Sequence, residues 1–371
     1  MVAKSEFRRL HSSKFDLPLL AVTAILVLFG LLAIYDASVV SAFRDFGDKF
    51  YYFKNQLIWA SLGSGALLFF SFFDYHKLVR VGPMLFLGAI AFLILVLVPG
   101  IGTKVYGARR WISLGNFTFQ PSEITKLALI LYGTAIVSKF ERFRIRLIDT
   151  VLVLFLPAAV ATLLVIFQPD LGTALIFIAI VLAIYFVGNA PIWHFLLVLP
   201  SVAIAVTMAI VAQPYRLARI KVFLDPNFDP QGASYQINQI LVAIAAGGLF
   251  GVGIGASRAK FAFIPEVHCD AISAIIIEET GFVGAVVLIS LFIILIIRAV
   301  NIARGATDFA GRVLAGGIVG LLSVQSLFNL ASMVALVPLT GVPLPFISYG
   351  GSSLFVTMSS IGILINIRRQ S

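Results

Sequence analysis

Cysteine is almost absent from this sequence, and its scarcity removes several classes of protein from consideration. The 371 residues include one cysteine, Cys269. A single cysteine cannot form a disulfide bond within the chain, and it leaves no cysteine cluster for a structural zinc ion or an iron–sulfur centre. Redox and structural-metal roles are therefore not expected.

Charged residues are also scarce, whereas long apolar runs are plentiful. Only 12% of the residues are charged and 60% are hydrophobic, with a mean hydropathy of +1.04. A soluble domain is closer to half apolar. Runs such as Leu17–Ala33 and Val151–Phe167 approach the length that crosses roughly 30 Å of hydrocarbon. They are continuous and do not alternate with polar residues as barrel strands do, so we predict an all-α polytopic membrane protein.

The excess of basic residues is explained by membrane topology. The net charge is +10, but no basic stretch alternates with aromatic residues on a soluble face, so nucleic acid is not an expected partner. Residues 1–16 are polar and basic and lead into an apolar segment without a small-residue cleavage site. We expect them to form a cytoplasmic tail that is retained.

Ten apolar segments are predicted to cross the membrane, and an even number places both termini on one side. Their bounds are about 17–36, 55–73, 78–98, 122–138, 147–167, 171–188, 191–212, 271–297, 312–336 and 345–367. With the termini in the cytoplasm, fifteen Lys and Arg residues fall in inner segments and eleven in outer ones. This bias has the sign of the positive-inside rule. We therefore expect a single membrane domain, residues 1–371, with both termini cytoplasmic.

Two outer segments are unusual. Residues 99–121 carry Lys104, Arg109 and Arg110 on the side where the positive-inside rule disfavours cations. Residues 213–270 form a large extracytoplasmic loop between the seventh and eighth spans. Its part 237–256 is moderately apolar but contains five glycines, which favours an interfacial or re-entrant element over an eleventh span.

Ionisable residues within or beside the spans are functional candidates because they are costly in lipid. Glu123 and Lys126 are three residues apart and can pair on one helix face, either to lock two helices or as part of the site. Asp170 follows Gln168-Pro169 and is placed to cap the next helix, where it can also point into an outer cavity.

The segment before the eighth span concentrates groups that exchange protons. Glu266, His268 and Asp270 fall within five residues at the membrane interface, where a partly desolvated carboxylate can act as a general base. A helix cap is the simpler role for such an acid, and a lone histidine is usually a hydrogen-bonding residue, so Asp270 ranks first. Glu278 and Glu279 lie about 12 Å further along the helix and favour a structural or cavity-lining role.

The segment Gly341–Ser353 combines prolines with small residues before the last span. Irregular backbone at membrane depth is tolerated only against protein or water, so this segment is predicted to line the cavity with the hydroxyls of Ser348 and Ser352. Close helix packing through small residues is the alternative.

An ordered set of motifs covers nearly the whole chain. In chain order they are Gly107-Ala108-Arg109-Arg110-Trp111-Ile112, Phe119-Gln120-Pro121-Ser122-Glu123 with Lys126, Gln168-Pro169-Asp170-Leu171-Gly172-Thr173, Tyr215-Arg216, Asp225-Pro226, Gly232 to Gln236, Pro265-Glu266-Val267-His268-Cys269-Asp270, and Pro345 to Ser353. In this order and spacing they resemble the SEDS family of membrane proteins, which includes FtsW, RodA and SpoVE.

The resemblance implies a peptidoglycan glycosyltransferase that polymerises lipid II at the outer face of the cytoplasmic membrane. Asp270 matches the family's essential aspartate, which is expected to deprotonate the acceptor sugar before undecaprenyl diphosphate leaves with inversion. Outer cations, among them Arg219, would stabilise the leaving diphosphate. The expected substrate-binding residues are Arg109, Arg110, Glu123, Lys126, Asp170, Arg216, Glu266, His268, Ser348 and Ser352.

The resemblance also implies partners and a cofactor. A class B penicillin-binding protein transpeptidase and other divisome or elongasome proteins are expected partners, besides lipid II and the undecaprenyl-diphosphate-linked glycan. A divalent cation, Mg²⁺ or Mn²⁺, is expected to share the diphosphate charge, although no ligand cluster is visible in the sequence.

The sequence departs from the family pattern at Cys269, where the family usually has threonine. Gly255-Ala256-Ser257 with Lys260 is similar to the division protein FtsW, whereas Gly341–Pro345 is similar to RodA or sporulation members, and we favour FtsW. A lipid II flippase is the main alternative, since carriers also have many spans with intramembrane charges. A scaffold that only recruits other enzymes is a third class.

Overall fold

The computed structural model describes residues 15–105, 108–114, 117–140, 147–225, 228–230, 232–261 and 268–371, and it is predominantly helical. Most of the predicted tail 1–16 lies outside the described residues. The helices are α1 Leu17–Phe46, α2 Tyr51–Phe72, α3 Tyr75–Leu95, α4 Pro121–Phe140, α5 (Leu147–Thr150, a π-helical turn Val151–Phe155 and Leu156–Phe167), α6 Leu171–Val187, α7 Ile192–Val211, α8 Pro214–Leu224, α9 Tyr235–Gly247, α10 Ile272–Gly305, α11 Phe309–Met333 and α12 Gly351–Gln370. The strands are β1 Gly102–Val105, β2 Ala108–Leu114 and β3 Phe117–Phe119.

The helical architecture agrees with the prediction of a polytopic membrane protein. A helix lies over each of the ten predicted segments. Among the described residues, seven helices are long and apolar enough to cross a membrane, namely α1, α3, α5, α7, α10, α11 and α12. The apolar helix α6 is shorter. The total of ten spans stays a prediction.

Helix α12 lies at the centre of the bundle and α7 at its edge. Of the most apolar 18 residues of α12, 83% are buried, whereas for α7 the share is 6%. Close contacts around α12 depend on small residues: a Cβ atom at Gly362 would lie 2.4 Å from the Leu67 carbonyl oxygen, and one at Gly351 would lie 2.2 Å from the Trp59 ring. Such packing of small residues is typical of membrane helices.

The π-helical turn of α5 has a local cause. Pro157 has no N–H to donate to the carbonyl of Val153 four residues earlier, and its ring crowds that carbonyl. The Val153 carbonyl instead accepts a hydrogen bond from the Tyr132 hydroxyl of α4. The widened turn is thereby satisfied by a neighbouring helix.

A small antiparallel sheet corrects the expectation of a purely helical fold. Strands β1, β2 and β3 form it in that order, with Thr103 paired to Trp111 and Ser113 to Thr118. In the sequence, Gly115-Asn116 separates β2 from β3, and this dipeptide is a hairpin signal. Hydropathy analysis overlooked it because the segment lies outside the apolar runs.

Helix α10 is broken, and a glycine-rich hairpin formed by residues 248–260 fills the break. Gly281 has φ 68° and ψ −165°, so the helical hydrogen bonds stop there. The main chain that follows α9 replaces them: Val252 N donates to the Glu278 carbonyl at 3.0 Å, and Phe282 N donates to the Gly248 carbonyl at 2.9 Å. Since α9 has 13 residues, spanning about 20 Å, it is too short to cross. Its length agrees with an interfacial or re-entrant element, which stays a prediction.

A buried ionic cluster fastens this hairpin to α1 and α10. Lys260 Nζ lies 2.8 Å from Asp36 Oδ1 and 3.2 Å from Glu279 Oε1. Glu278 Oε1 accepts from the Arg258 main-chain N–H at 3.1 Å, and its other oxygen accepts from the Ser257 hydroxyl. Of the two roles predicted for these glutamates, structural or cavity-lining, the contacts favour the structural one.

Several helix ends differ from the predicted bounds. Helix α1 continues to Phe46 and α10 to Gly305, because hydropathy identifies only the part within hydrocarbon and a helix can extend beyond it. The last helix begins at Gly351, six residues after the predicted start at 345. Residues 334–350 are irregular, as expected where Pro343 and Pro345 remove main-chain donors.

Candidate functional site

Five connections meet at one end of the helical bundle, the end that the predicted topology places outside. They lie within residues 47–50, 96–120, 168–170, 212–271 and 334–350, of which 106–107, 115–116, 226–227, 231 and 262–267 lie outside the described residues. Arg110 Nε donates to the Gln168 carbonyl at 2.8 Å, and Tyr349 N donates to the His268 carbonyl at 2.9 Å. Contacts of this kind join connections that are far apart in sequence, so this end forms one candidate site.

Asp270 lies two residues before α10 and is partly exposed. Its main-chain carbonyl accepts from Asn329 Nδ2 at 2.8 Å. Its carboxylate lies beside Gly341, where an added Cβ atom would be 3.8 Å from Asp270 Oδ2. Gly341 has φ +68°, a conformation that glycine adopts at little cost. The acid therefore stands at the mouth of the helix beside irregular main chain and is accessible in part.

His268 is buried among aromatic rings and is not placed as a base. Its ring lies 4.2 Å from the Tyr52 ring and 5.6 Å from the Tyr349 ring, between centroids. Burial lowers the pKa of His268 to about 4, so the imidazole is neutral at pH 7. This packing supports the lower rank given to His268. Glu266, the third predicted group, lies outside the described residues.

Asp170 caps α6, as the sequence predicted. Its Oδ1 accepts from Thr173 N at 3.0 Å and its Oδ2 accepts from the Thr173 hydroxyl at 2.9 Å. Arg110, on β2, donates to the carbonyls of Gln168 and Pro169 just before the cap. The sheet is thereby anchored to the α5–α6 connection, and it carries the partly exposed Arg109 and Arg110 to the outer end.

The two predicted serines bind main chain. Ser352 Oγ accepts from Gln120 N at 3.0 Å, and Ser348 Oγ accepts from Leu344 N at 2.8 Å. Both serines are buried. Their hydroxyls stabilise the irregular segment 334–350 and the start of α12, so the structure favours a supporting role over the expected contact with substrate.

Glu123 and Lys126 form the predicted ion pair, with 2.6 Å between Lys126 Nζ and Glu123 Oε1. Lys126 Nζ also donates to Gln325 Oε1 on α11 at 3.0 Å. The exposed fraction is 2% for Glu123 and 0% for Lys126. Neither side chain is accessible to substrate in this structure, which favours the locking of two helices, the first of the two roles considered.

Arg216 joins three elements of the outer end. Its NH1 donates to the Ala209 carbonyl at 2.8 Å and its NH2 to the Ile166 carbonyl at 2.7 Å. Only 6% of the residue is exposed. Arg219, one turn later, is partly exposed. Its NH1 donates to the Leu339 carbonyl at 2.7 Å. Arg216 thus supports the loop, and Arg219 lies at its surface.

A cavity of about 300 Å³ opens beside Arg219. Helix α8, the start of α9 and residues 335–339 line it, mainly with apolar side chains. Leu339 lies on its wall and is two residues from Gly341, the neighbour of Asp270. The cavity therefore adjoins the segment that borders the acid.

Three buried amides organise this end and were missed by the sequence analysis. Gln56 Oε1 accepts from Gly350 N at 3.2 Å, and Gln325 Nε2 donates to the Pro343 carbonyl at 3.0 Å. Asn329 is four residues after Gln325 on α11. All three amides lie within apolar helices, and this position was the available signal, because a polar side chain at membrane depth needs a partner.

The residues present offer no complete metal cage. Within the described part of the chain, no group of three or more His, Cys, Asp or Glu side chains is arranged to hold a metal ion. Mg²⁺ in phosphate chemistry is usually held by one or two carboxylates together with phosphate oxygens and water. A cation at this end would therefore need phosphate oxygens of the substrate among its ligands, and the expected Mg²⁺ or Mn²⁺ stays a prediction.

Comparison with known proteins assigns residues 17–371 to one family. The family model FtsW/RodA/SpoVE, described as "Cell cycle protein", matches residues 17–371. The "Probable peptidoglycan glycosyltransferase FtsW" of Trichlorobacter lovleyi is 42% identical over 363 residues, covering 96% of this chain and 93% of that protein. "Stage V sporulation protein E" of Bacillus subtilis is 38% identical over 361 residues, covering 96% and 97%.

Solved structures give the same assignment. A chain from a study entitled "Structural coordination of polymerization and crosslinking by a peptidoglycan synthase complex" superposes with a TM-score of 0.76 at 29% identity, covering 96% of this chain and 98% of that one. The rod shape determining protein RodA of Thermus thermophilus superposes with a TM-score of 0.68 at 28% identity, covering 96% and 97%.

Proposed function

The chain belongs to the FtsW/RodA/SpoVE family and is an integral membrane protein, and on this premise we propose that it is a peptidoglycan glycosyltransferase. The observation that carries the proposal is the placement of Asp270, a partly exposed acid at the mouth of α10 beside the irregular segment 334–350. A general base needs such a position, close to water and substrate yet fixed by its surroundings.

The substrate of the proposed reaction is lipid II, which the protein polymerises into glycan strands at the outer face of the cytoplasmic membrane. In the topology that we propose, with ten spans and both termini cytoplasmic, Asp270 lies on that face. The excess of Lys and Arg in the inner segments, fifteen against eleven, supports this orientation. Division is the favoured setting, and elongation is the alternative.

The proposed chemistry is an inverting displacement. Asp270 takes the proton from the acceptor sugar's hydroxyl, and the oxygen attacks the anomeric carbon of the donor. The bond from that carbon to the diphosphate oxygen breaks, and undecaprenyl diphosphate leaves with the electron pair. Arg109, Arg110 and Arg219 are partly exposed cations at the same end and are proposed to stabilise its charge, although Arg110 already donates to the main-chain carbonyls of Gln168 and Pro169.

The buried residues of the site have supporting roles in this proposal. Lys126 and Glu123 join α4 to α11 through Gln325, which holds the Pro343 carbonyl. Asp170 fixes the start of α6 and accepts from Gln120 Nε2 at 3.3 Å. Together they keep the walls around Asp270 in place.

A divalent cation is a separate proposal, and no step above depends on it. Since the described residues lack a cage, Mg²⁺ or Mn²⁺ would enter with the diphosphate of the substrate. Polymerisation should then stop in EDTA and resume when Mg²⁺ or Mn²⁺ is added. Full activity after exhaustive chelation would contradict this requirement.

A class B penicillin-binding protein transpeptidase is the proposed partner within the divisome or elongasome. Its support is the similarity to a chain from a peptidoglycan synthase complex. Co-purification with the cognate transpeptidase is expected, and failure with every cognate candidate would count against the partnership.

A lipid II flippase is not favoured. The FtsW relatives carry the name probable peptidoglycan glycosyltransferase, and the candidate polar groups lie at one end of the bundle, whereas a carrier needs a midplane site open to each face in turn. A scaffold would have no need for a positioned acid. Both alternatives predict that the purified protein forms no glycan.

The deciding experiment is polymerisation of lipid II by purified protein in detergent, analysed by gel electrophoresis of the glycan. Wild type should form polymer, and Asp270→Asn should form none while keeping its unfolding temperature. Asp48→Asn is the matched control, because Asp48 is an exposed acid at the same end, paired with Lys54 at 2.8 Å. It should remain active. No polymer from wild type, or an active Asp270→Asn variant, would reject the proposal.

A further inference from the structure

The side chain of Asn329 joins three segments at the outer end, and it is completely buried. Its Nδ2 donates to the Asp270 carbonyl at 2.8 Å and to the Val342 carbonyl at 2.8 Å. Its Oδ1 accepts from Ser273 Oγ at 3.1 Å. One amide on α11 therefore binds the main chain of the acid, the first turn of α10 and the irregular segment 334–350.

The chemistry of these contacts requires an amide. Both hydrogens of Nδ2 are used, one for each carbonyl, and the oxygen has a hydroxyl donor. An aspartate at position 329 would have the same shape but would present an acceptor to two carbonyl oxygens. An alanine would leave all three groups without this partner in a buried site, where an unmade hydrogen bond is costly.

The neighbouring amide has a different reach. Gln325 lies one turn earlier and holds the Pro343 carbonyl, but its oxygen accepts from Lys126. The two amides thus fix consecutive carbonyls of the same segment. Of these two, Asn329 contacts Asp270, and Gln325 contacts the buried ion pair.

We propose that Asn329 is a positioning residue for the base Asp270. The inference rests on the proposed glycosyltransferase function. By holding the Asp270 carbonyl and the Val342 carbonyl on one amide group, Asn329 sets the carboxylate against the segment that contains Gly341. It contacts no reacting atom and acts through the main chain of Asp270.

The expected effect follows from the sensitivity of catalysis to geometry. A displacement of about 1 Å at a reacting group can reduce the rate by roughly 100-fold. Asn329→Ala and Asn329→Asp should therefore lower kcat by about that factor, with KM little changed, since neither variant alters the groups that bind the diphosphate. Aspartate should be at least as harmful as alanine, because shape alone does not restore the donors.

The chain offers a matched control at the opposite end of the bundle. Asn366 on α12 is also a buried amide, with Nδ2 donating to the Ser71 carbonyl at 3.0 Å and Oδ1 accepting from Tyr75 N at 3.1 Å. Asn366→Ala loses a comparable set of hydrogen bonds far from Asp270. It should lower the unfolding temperature by a similar amount while kcat per folded molecule is maintained.

A second readout does not depend on activity. Cys269 is the only cysteine in the sequence, precedes Asp270 directly and is partly exposed. Its rate of reaction with a small maleimide in detergent reports the local order of the main chain beside the acid. Asn329→Ala should change that rate several-fold, and Asn366→Ala should leave it unchanged.

The outcomes separate this inference from the proposed function. If wild type forms no polymer, the glycosyltransferase proposal fails, and the inference falls with it even where the labelling rates differ. If wild type is active, then an Asn329→Ala variant with wild-type kcat and labelling rate overturns the role of Asn329. Should that variant not fold, Asn329→Asp takes its place, because it keeps the shape of the side chain but loses the donors to the Asp270 and Val342 carbonyls, and a wild-type kcat and labelling rate in it would overturn the inference.

Discussion

The ion pair between Glu123 and Lys126 gives the sharpest prediction about stability. Replacing Lys126 by methionine keeps much of its volume but removes the charge that lies 2.6 Å from Glu123 Oε1. It also removes the donor to Gln325 Oε1. Because both partners are buried, water cannot replace the lysine, and the carboxylate is left alone in a medium of low dielectric.

The size of the loss has a natural ceiling, because the carboxylate can take up a proton. For a carboxyl group with the ordinary glutamate pKa near 4.3, protonation at pH 7 costs roughly 3.7 kcal/mol, at about 1.4 kcal/mol per pH unit. The lost hydrogen bond to Gln325 adds about 1 kcal/mol. Lys126→Met should therefore destabilise the fold by about 3–5 kcal/mol, the range known for breaking a buried pair.

The pH dependence of the loss distinguishes this reasoning from a simple packing defect. Protonation becomes cheaper by about 1.4 kcal/mol for each unit that the pH falls, so the variant should recover towards wild type between pH 7.5 and 5.5. The free energy of unfolding of wild type and variant, measured in detergent by intrinsic fluorescence at several pH values, tests this recovery.

The double variant Glu123→Gln with Lys126→Met is the control. It removes both charges, so it should be more stable than Lys126→Met at pH 7 and should show little of that pH dependence. A single variant that unfolds like wild type at pH 7, or a deficit that does not change with pH, would refute the argument.

Three further predictions concern other parts of the fold. Burial holds the pKa of His268 at about 4, below the value of 6.5 for a histidine in the unfolded chain. Wild type should therefore lose roughly 1.5 kcal/mol of stability as the pH falls from 6.5 to 5, and His268→Gln should lose less. Equal losses in the two melting series would contradict this. Gly281→Ala should destabilise by about 1–3 kcal/mol or more, since it forces φ +68° on alanine and its Cβ would lie 2.3 Å from Gly251 N. The control Gly65→Ala meets nothing within 4 Å and should be neutral or stabilising in the same thermal melts. Asp170→Ala should cost about 1 kcal/mol as a lost helix cap while Asp170→Asn retains the cap, and equal melting temperatures for the two would argue against capping.

The membrane fold was largely predictable because hydropathy is a strong signal over a whole span. Continuous apolar runs as long as Val151–Phe167 are typical of membrane helices, and the helices of the structure lie over the predicted segments. The ends were less predictable, since α1 and α10 extend beyond hydrocarbon, where composition no longer reports helix. The sheet was missed because its strands have three to seven residues and alternate weakly.

Within the candidate site, local relations were predicted and long-range ones were not. The pairing of Glu123 with Lys126 and the cap at Asp170 depend on spacings of three residues, which a sequence displays directly. The contact of Asn329 with Asp270 joins residues 59 apart. No periodicity encodes such a contact, and the available signal, an amide within an apolar segment, was not used.

The assignments of Ser348 and Arg216 show a further limit. Their residue types suit a sugar or a diphosphate, but their hydrogen bonds go to main-chain groups of the protein. The residue type indicates which groups a side chain can bind, but only the fold shows which of its hydrogen bonds are already made within the protein. Arg109 remains a candidate because the sheet keeps it partly exposed, whereas Arg110 is also partly exposed but already donates to the carbonyls of Gln168 and Pro169.

The hairpin that fills the break in α10 is held by main chain on both sides: Val252 and Gly253 donate to Glu278 and Glu279, and Phe282 and Val283 donate to Gly248 and Leu249. These main-chain hydrogen bonds do not depend on which apolar side chains the joined residues carry, although the Lys260 cluster adds side-chain contacts to the same joint. The apolar residues around the joint can therefore be substituted without loss of these bonds, whereas the glycines on which the close approach depends cannot. The first part of α10, which follows Asp270, can in this way keep its position while the lipid-facing residues beside it change.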